Sequence, residues 1–166
     1  MRAGIGFGAN LGDRLTNLKA ARAQVEKLPG VEAPILASSV YETEPVDCDP
    51  GTPKFLNAVI EIGYTAGGEQ LLRELRRIEE ALGRAAAHSR NAPRPIDLDL
   101  LYFGSVIIST PELELPHPRI LQRRFVLEPL AEIRPYLVLP EQSRSISSLL
   151  AQLPDATPLV RFASEW

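Results

Sequence analysis

Apolar residues recur along this 166-residue chain at two spacings, and each spacing predicts a different kind of element. A period of two is clearest in residues 55–64, where Leu56, Ala58 and Ile60 fall on one face, so this segment is predicted to be a half-buried strand. Shorter segments rich in apolar and β-branched residues predict the other strands, which are 3–8, 35–41, 96–103 and 106–108.

Apolar residues spaced by three and four predict helices between these strands. The first helix is predicted over residues 11–28 and is stopped by Pro29-Gly30. The second is predicted over residues 71–82, with Thr65 as its cap and Gly83 at its end. The remaining helical segments are 123–133 and a short last helix capped by Ser145 or Ser147.

The predicted order of elements is β-α-β-β-α-β, followed by further elements. Helices packed on one face of an antiparallel sheet give an α+β sandwich. The predicted fold is therefore a ferredoxin-like βαββαβ sandwich with a mainly antiparallel sheet, helices packed on it and C-terminal extras. Since no internal repeat, linker or low-complexity segment interrupts the chain, residues 1–166 are predicted to form a single domain.

The overall composition argues against some classes of function, namely membrane-spanning and nonspecific nucleic-acid-binding proteins. Apolar residues make up 45% and charged residues 23% of the chain, which is an ordinary soluble composition, and no run is long enough to span a membrane. The net charge of −3 disfavours strong nonspecific binding to nucleic acid, so an anionic ligand needs a local basic cluster or a metal. The single cysteine, Cys48, and the absence of a secretion signal predict a cytoplasmic location.

Two aspartates interrupt the apolar run of residues 96–103. Because side chains on a strand alternate, Asp97 and Asp99 share one face, with Cα atoms roughly 6.5 Å apart. The other face is predicted to carry Ile96, Leu98, Leu100 and Tyr102. Two carboxylates at this distance are able to share a metal site, and oxygen ligands favour a hard ion such as Mg²⁺, which usually shares its coordination with phosphates. The alternative is a solvated strand face carrying two acids.

Basic residues cluster on both sides of this strand in the sequence. Acidic metal ligands with arginines converging on them are what phosphoryl transfer requires, because the charge on the transferred group must be neutralised. The alternative is that these residues serve only surface solubility. The cluster consists of Arg84, His88, Arg90 and Arg94 before the strand, and His117, Arg119, Arg123 and Arg124 after it.

The glycine-rich start, "GIGFGANLGD", does not predict a nucleotide loop. A dinucleotide fingerprint follows a strand, whereas this one lies inside the predicted strand 3–8, and no Lys-Ser or Lys-Thr follows at the spacing of a phosphate loop. The glycines instead indicate a strand packed closely against a ligand or another backbone, followed by a tight turn at 8–12. Asn10 is predicted to be a turn residue with an amide free to hydrogen-bond. A purely structural turn is the alternative.

Several segments together resemble the 6-hydroxymethyl-7,8-dihydropterin pyrophosphokinase family. This family transfers pyrophosphate from ATP to the hydroxymethyl group of a reduced pterin in folate biosynthesis. The resemblance covers nearly the whole chain in the correct order. It rests on "GANLGDR" near the start, "YETEPV" at 41–46, "FLNAV" at 55–59, "RIEEALGR" at 77–84, "RNAPRPIDLDLL" at 90–101 and "LPHPRILQRRFVLEPL" at 115–130.

The resemblance implies a role for each matching residue. Asp97 and Asp99 would bind two Mg²⁺ ions that bridge the ATP phosphates, and Asp97 would also help orient or deprotonate the pterin hydroxymethyl group. Arg84 and Arg94 would be a mobile and an anchored arginine on the phosphates. The residues implied around the nucleotide are Leu72, Glu79, Leu100, His117 and Arg123, and those implied in the pterin pocket are Thr43, Val46, Phe55, Asn57 and Phe125.

The residues themselves support the pterin site only in part. A flat heteroaromatic ligand needs aromatic faces and an amide that both donates and accepts hydrogen bonds. Phe55 and Asn57 fall on the same face of their predicted strand, as this requires. Without the resemblance, the alternative that Phe55 is a core residue and Asn57 a polar residue at a strand edge is favoured.

The chain departs from the family pattern at four positions, Ala86, Asn91, Glu112 and Pro118, where an arginine, a tryptophan, an arginine and a tyrosine are frequent. These changes remove a positive charge, a stacking surface and a nucleotide contact. Weaker ATP binding or a looser closed loop over 85–92 is therefore expected. The chemistry is expected to persist, because both metal ligands and both main arginines remain.

The mechanism expected is in-line attack of the pterin hydroxyl on the β-phosphorus of ATP, with release of AMP. The first alternative is a non-catalytic ferredoxin-like module that binds a ligand, since a fold alone does not establish catalysis. The second is an RNA-binding α+β domain, which the acidic balance and the lack of an interleaved lysine and aromatic sheet face disfavour. The expected partners are the small-molecule substrates alone, and the chain is expected to be a monomer with no nucleic-acid or membrane partner.

Overall fold

The computed structural model describes residues 1–45, 51–83, 93–154 and 159–166. Most predicted elements are present, although several bounds differ from the sequence-based expectation. The strands are β1 Arg2–Ala9, β2 Val31–Ala37, β3 Val40–Thr43, β4 Phe55–Tyr64, β5 Asp97–Phe103, β6 Ile108–Ser109, β7 Glu114–Leu115 and β8 Val160–Ala163. The helices are α1 Arg14–Glu26, α2 Gly68–Ala81, α3 Arg124–Ile133 and α4 Ile146–Leu150, with a 3-10 turn at Ile120–Gln122.

The strands form a six-stranded sheet in the order β5-β1-β4-β3-β8, with β2 also paired to β4. Every pairing in this sheet is antiparallel. The central strands β1 and β4 run side by side from Arg2 opposite Gly63 to Ala9 opposite Leu56. The predicted α+β class and the ferredoxin-like order of the first five main strands are confirmed, and β8 is an element that the sequence did not predict.

Two separate hydrophobic cores lie on opposite faces of the sheet. Helices α1 and α2 cover the face to which Leu56, Ala58 and Ile60 of β4 point. Helices α3 and α4 cover the other face, which includes Val59 of β4. The prediction that 55–64 is half-buried is therefore wrong: Leu56 to Tyr64 are all buried, because the C-terminal extras cover the face that the pattern assigned to solvent.

The predicted strand 35–41 is in fact two strands. Strands β2 and β3 are separated at Ser38-Ser39, where side chains form hydrogen bonds with backbone groups. The Ser38 hydroxyl accepts a bond from the backbone N–H of Val59 at 2.9 Å, and the N–H and hydroxyl of Ser39 donate to Glu132 of α3 at 2.9 and 2.8 Å. These serines shift the strand from β2 to β3 and tie it to α3.

Strand β5 contains one irregularity that corrects the predicted faces. Its register with β1 shifts between Gly4 and Ile5, which lie opposite Tyr102 and Leu100. Asp97 and Asp99 share one face as predicted, but Tyr102 lies in the second core and not with Leu100 in the first. The bulge adds one residue, Leu101, and therefore moves Tyr102 to the face of the aspartates.

Helix ends follow local chemistry. Ser145 caps α4 as predicted, and its side chain accepts from the N–H of Ser148. Gly83 follows α2 with a φ of +95°, which favours glycine, so its predicted role as a stop is confirmed. Thr65 is not the cap of α2, because the helix begins at Gly68 and the N-cap position is Gly67.

The ends of two further elements differ from their predictions. Helix α1 begins at Arg14 because Asp13 caps it through the N–H of Thr16, so Leu11 precedes the helix. The strand predicted at 106–108 is β6, Ile108–Ser109, because the N–H of Val106 still closes a turn onto the carbonyl of Phe103. Within the residues that the structure describes, none of the helices combines the length and the apolar character needed to cross a bilayer.

Candidate active site

Three glycines of β1 leave room on the face that carries the aspartates. Gly4, Gly6 and Gly8 alternate with the apolar residues that face α1 and α2. A Cβ on Gly4 would come within 2.2 Å of the Tyr102 ring, and one on Gly6 would touch Leu101 at 3.4 Å. At Gly8 the neighbours are polar: Asn57 Oδ1 at 3.3 Å and Asp97 Cβ at 3.8 Å. Of these three glycines, Gly8 is therefore the one that lies between polar residues of both neighbouring strands, Asn57 of β4 and Asp97 of β5.

The sheet register places Asp97, Gly8 and Asn57 in one row. Asp97 of β5 lies opposite Gly8 of β1, and Gly8 lies opposite Asn57 of β4. Asp99 lies opposite Gly6 in the next row on the same face. The carboxylate pair and the amide therefore lie on one surface, and Gly8, which has no side chain, separates Asp97 from Asn57.

Each aspartate lies beside an arginine. Arg94 Nε lies 3.5 Å from Asp97 Oδ2, and Arg123 Nη1 lies 3.4 Å from Asp99 Oδ2. The side chains of Asp97 and Asp99 are 22% and 37% exposed. Both carboxylates are therefore accessible to a ligand that arrives from solution.

Asn10, at the end of β1, fixes the backbone of Arg94. Its Oδ1 accepts from the N–H of Arg94 at 2.8 Å, and its own N–H donates to the carbonyl of Arg94 at 3.2 Å. Its Nδ2 also reaches the carbonyl of Pro53 at 3.5 Å. The prediction that the Asn10 amide is available for hydrogen bonds is therefore confirmed, and its partners are backbone groups of two other segments. Its position just after the glycine-rich strand was the only sequence signal for this role.

The side chain of Arg94 is held by its surroundings. Its guanidinium lies 5.9 Å from the centre of the Phe55 ring. Among the residues described by the structure, the buried Nε has no hydrogen-bond partner. A half-buried arginine whose buried Nε makes no hydrogen bond is suited to an anionic ligand.

The described residues predicted for the pterin pocket gather around the row of Asn57. The Asn57 Nδ2 donates to Thr43 Oγ1 at 2.7 Å, and both side chains are buried. Phe55 stands at the start of β4, and Phe125 stands in the first turn of α3, where the Arg123 guanidinium lies 5.4 Å from its ring. The Thr43 contact orients the amide, so that its Oδ1 points to the space above Gly8.

A cleft of about 250 Å³ adjoins the outer edge of β5. It contains three of the residues predicted for the nucleotide, Leu72, Leu100 and His117, and it borders Asp99. The segment before β7 forms its other wall. Glu112 was expected there from the family resemblance, whereas Thr110, Pro111 and Leu113 were not predicted from the sequence. The lining residues are Leu72, Leu98, Asp99, Leu100, Thr110, Pro111, Glu112, Leu113, Glu114, His117 and Pro118.

Glu79, also predicted near the nucleotide, is a buried residue of α2 whose carboxylate accepts from the N–H of Leu98 at 2.7 Å. Because β5 is an edge strand, this N–H lacks a partner strand on its outer side. Glu79 therefore fixes the segment of β5 between the two aspartates.

His117 is neutral at neutral pH. Burial and the nearby charges of Arg123 and Arg119 lower its pKa to about 4. Its Nδ1 accepts from the N–H of Arg119 at 3.1 Å, so the ring proton resides on Nε2. His117 is therefore a hydrogen-bond donor to a ligand and not a positive charge.

The donor set fits a magnesium site that needs help from a ligand. Among residues 1–45, 51–83, 93–154 and 159–166, no group of three or more metal-binding side chains converges. Two carboxylates on one face, beside a space that a Cβ at Gly8 would fill, match the way Mg²⁺ binds, with one or two carboxylates and substrate phosphates. Predicted residues Arg84 and Val46, together with His88, Arg90, Ala86, Asn91 and Cys48, lie outside the described residues.

Residues 4–135 match the protein family described as 7,8-dihydro-6-hydroxymethylpterin-pyrophosphokinase, HPPK. The chain belongs to this family. A Bacillus subtilis protein named 2-amino-4-hydroxy-6-hydroxymethyldihydropteridine pyrophosphokinase is 42% identical over 129 residues, which cover 78% of this chain and 75% of the relative. A Synechocystis protein of the same name is 34% identical over 149 residues, which cover 90% of this chain and 74% of the relative.

Other relatives are much longer than this chain. The folic acid synthesis protein fol1 of Pneumocystis carinii is 39% identical over 152 residues, which cover 91% of this chain but 20% of that protein. A crystal structure of wild-type Plasmodium falciparum HPPK-DHPS superposes with a TM-score of 0.71 at 15% identity, covering 91% of this chain and 44% of that one. This likeness confirms the predicted HPPK fold and nothing beyond the fold.

Family membership confirms the predicted family and the predicted enzyme class. The HPPK family consists of pyrophosphokinases, so this chain is an enzyme of the diphosphotransferase class that acts in folate biosynthesis on small molecules. Which residues perform each step is a separate question.

Proposed function

We propose that residues 1–166 act as one domain that transfers pyrophosphate from ATP to the hydroxymethyl group of 6-hydroxymethyl-7,8-dihydropterin, releasing AMP. The observation that carries this proposal is the row Asp97–Gly8–Asn57, which puts an amide for the pterin beside a carboxylate for the reacting hydroxyl. The cleft along β5 then lies on the side of the aspartates away from Asn57. This order matches two substrates that meet over Asp97 and Asp99.

The pterin ring lies over Gly8 in this proposal. Asn57 Oδ1 accepts from the ring, because Thr43 already engages its Nδ2 and holds the amide in one orientation. Phe55 and Phe125 supply the aromatic faces that sandwich a flat heterocycle, and Val46 is proposed as a further contact. The absence of a Cβ at Gly8 lets the ring approach the sheet backbone closely.

The nucleotide occupies the cleft beside the edge of β5. Leu72 and Leu100 offer apolar contact to the base and ribose, and Glu79 holds the strand that forms the floor. Toward the aspartates, His117 donates its Nε2 proton to a phosphate oxygen. Arg123 and the anchored Arg94 supply positive charge there, and Arg84 is proposed as the second catalytic arginine.

Asp97 and Asp99 are the proposed ligands of two Mg²⁺ ions. When bound, Mg²⁺ would supply charge neutralisation for the ATP phosphates. The chain itself does the positioning: Asp97 orients the pterin hydroxymethyl group and accepts a hydrogen bond from its hydroxyl. The hydroxyl oxygen attacks the β-phosphorus and its proton passes to the Asp97 carboxylate, while the bond from that phosphorus to the α,β-bridging oxygen breaks and AMP leaves with the electron pair. Arg94 neutralises the charge that develops on the transferred group.

The test is AMP formation from ATP by the purified chain with Mg²⁺. We expect AMP in proportion to the pterin diphosphate formed, and no AMP when either the pterin or the Mg²⁺ is left out. AMP formation without pterin, or binding of both ligands without any turnover, would contradict the proposal. The second outcome would favour a ligand-binding module without catalysis.

The location and the oligomeric state are also proposals. We propose that the chain acts as a monomer, and that it acts in the cytoplasm, in keeping with its single cysteine. Sedimentation at assay concentration, compared with activity, tests this expectation.

A further inference from the structure

The C-terminal strand β8 lies outside residues 4–135, which match the family, yet it pairs with a strand of the proposed pterin pocket. It runs antiparallel to β3, with Val160 opposite Glu42 and Arg161 opposite Tyr41. The Arg161 guanidinium also lies 6.0 Å from the centre of the Tyr41 ring. Strand β3 is therefore held between β4 and β8, and β3 carries Thr43, which orients Asn57.

One arginine contacts β8 and also the residues that directly precede two residues of the proposed pterin pocket. Arg14, the first residue of α1, places its guanidinium 5.8 Å from the centre of the Phe162 ring on β8. Its Nη2 lies 2.9 Å from Glu42 Oε2, and its Nη1 donates to the carbonyl of Lys54 at 2.9 Å. Glu42 directly precedes Thr43, and Lys54 directly precedes Phe55.

We infer that Arg14, backed by Phe162 of β8, is a positioning residue for the pterin pocket; this inference rests on the proposed function. Arg14 does not belong to the row that faces the substrates. It contacts the chain one residue before each of two pocket residues, through the Glu42 carboxylate and the Lys54 carbonyl, so it sets where Thr43 and Phe55 stand. The described nucleotide cleft lies at the opposite edge of the sheet, on β5, so the effect is confined to the pterin.

The geometry explains why loss of Arg14 acts on binding. Side chains that hold a site must be fixed by their neighbours, and small misplacements weaken a ligand strongly. Loss of a charged hydrogen bond to the Lys54 carbonyl frees the segment before Phe55, and loss of the ion pair frees Glu42. The aromatic contact with Phe162 limits the rotamers of the Arg14 side chain, since a guanidinium is attracted to the face of a ring.

The test compares Arg14→Met with Arg22→Met in the full chain. Arg22 is the matched control, because it lies on the same helix and also contacts the C-terminal segment. It donates to the carbonyl of Trp166 and lies 5.1 Å from the centre of the Trp166 ring, but it has no described contact with β3, β4 or the segment before β4. Both variants remove a cation from α1 and keep an unbranched side chain.

We expect Arg14→Met to weaken pterin binding, measured by calorimetry, by about tenfold, the size expected for one charged hydrogen bond. The KM for ATP is expected to change less than about twofold. Phe162→Ala is expected to weaken pterin binding about threefold, and the double variant to match Arg14→Met alone, because the two side chains act as one unit. Arg22→Met is expected to lower the thermal midpoint without a selective effect on the pterin.

Two results would overturn the inference: an unchanged pterin affinity in a folded Arg14→Met variant, or equal losses for pterin and ATP in Arg14→Met and Arg22→Met. A wild-type chain that binds no pterin would instead overturn the proposed function. Calorimetry on the wild type therefore separates the two failures before any variant is measured.

Discussion

Two clusters of carboxylates and arginines lie on the same face of the sheet, and they differ in how far their carboxylates are exposed to solvent. In the first, Glu61 is fully buried and its carboxylate is bonded on all sides. Arg2 Nε approaches to 2.8 Å, Arg134 Nη1 to 2.7 and 2.9 Å, and the Tyr102 hydroxyl donates to it as well. Burial and this bond to Glu61 raise the pKa of Tyr102 far above its usual value.

The second cluster is built from the same residue types but is open to solvent. Asp97 and Asp99 lie 3.5 and 3.4 Å from Arg94 and Arg123, and their side chains are 22% and 37% exposed. Partly exposed ion pairs contribute little to stability, and these carboxylates are accessible to cations and phosphates that arrive from solution.

The contrast separates charges used for folding from charges held for a ligand. A closed cluster is expected to contribute to stability and little to turnover, because removal of one member leaves the other buried charges without a partner. An open cluster is expected to contribute to turnover and little to stability. Substitutions in each cluster should therefore affect different measurements.

The largest expected effect is that of Asp97→Asn or Asp99→Asn on turnover. Loss of either carboxylate removes a proposed ligand for Mg²⁺ while the side chain keeps its size, so kcat/KM is expected to fall about 1000-fold. The free energy of unfolding is expected to stay the same or to rise slightly, because repulsion between the two acids is relieved. Kinetics and urea denaturation on the same preparations test both parts, and more than about 10% residual activity in either variant would contradict the assignment.

Glu61→Gln should give the opposite result. Arg2 and Arg134 lose their common partner, so the free energy of unfolding is expected to fall by about 2–3 kcal/mol. The value lies below the full cost of breaking a buried pair because the two arginine side chains are 30% and 35% exposed. Activity per folded molecule is expected to stay within about twofold of the wild type, and a large loss of kcat at full stability would break the comparison.

Alanine substitutions at two glycines of β1 test the same contrast between stability and ligand binding. Gly4→Ala places a Cβ 2.2 Å from the buried Tyr102 ring, so a loss of about 1–3 kcal/mol in stability is expected from overpacking. In Gly8→Ala the new Cβ is 3.3 Å from Asn57 Oδ1, and its next neighbours, Asp97 Cβ and Phe55 Cδ1, lie at ordinary contact distances of 3.8 and 3.9 Å, so the fold is expected to tolerate it. The added methyl occupies the proposed pterin position and should weaken pterin binding about tenfold. Equal pterin affinity in Gly8→Ala and wild type would contradict the proposal that the pterin lies over Gly8.

The smallest expected effect concerns His117 and acid stability. Its pKa is lowered from 6.5 to about 4 in the folded chain, so between these values the unfolded chain binds the extra proton. The neutral histidine therefore contributes stability that is present above pH 6.5 and is lost as the pH falls toward 4. We expect His117→Gln to flatten the decline of the unfolding free energy from pH 6.5 to 4.5, and parallel curves would show that His117 titrates normally.

The fold was predictable where one element has one dominant period. The central strand 55–64 and α3 at Arg124–Ile133 follow from their apolar positions, and the Asp97/Asp99 face follows from alternation. The burial of both faces of β4 could not be predicted, because helices α3 and α4, which cover the second face, lie far away in sequence. The bulge at Leu101 was hidden as well, since an extra apolar residue in an apolar run changes no pattern.

The candidate site was predictable in residue type more than in arrangement. The D-x-D pair and the arginines indicated anion chemistry, and the family resemblance ordered them. The role of Asn10 depends on a contact with Arg94, 84 residues further along the chain, and local spacing contains no information on such contacts. Gly8 likewise acquires its meaning from its neighbours Asp97 and Asn57 in the register.

The central claim is that Asp97 and Asp99 together hold the divalent cations where ATP meets the pterin. Anomalous diffraction from crystals grown with Mn²⁺ in place of Mg²⁺, a non-hydrolysable ATP analogue and 6-hydroxymethylpterin tests it most directly. The account predicts two Mn²⁺ peaks, both coordinated by these carboxylates and by phosphate oxygens of the analogue. Peaks bound elsewhere on the chain, with Asp97 and Asp99 facing solvent while both ligands are present, would contradict it.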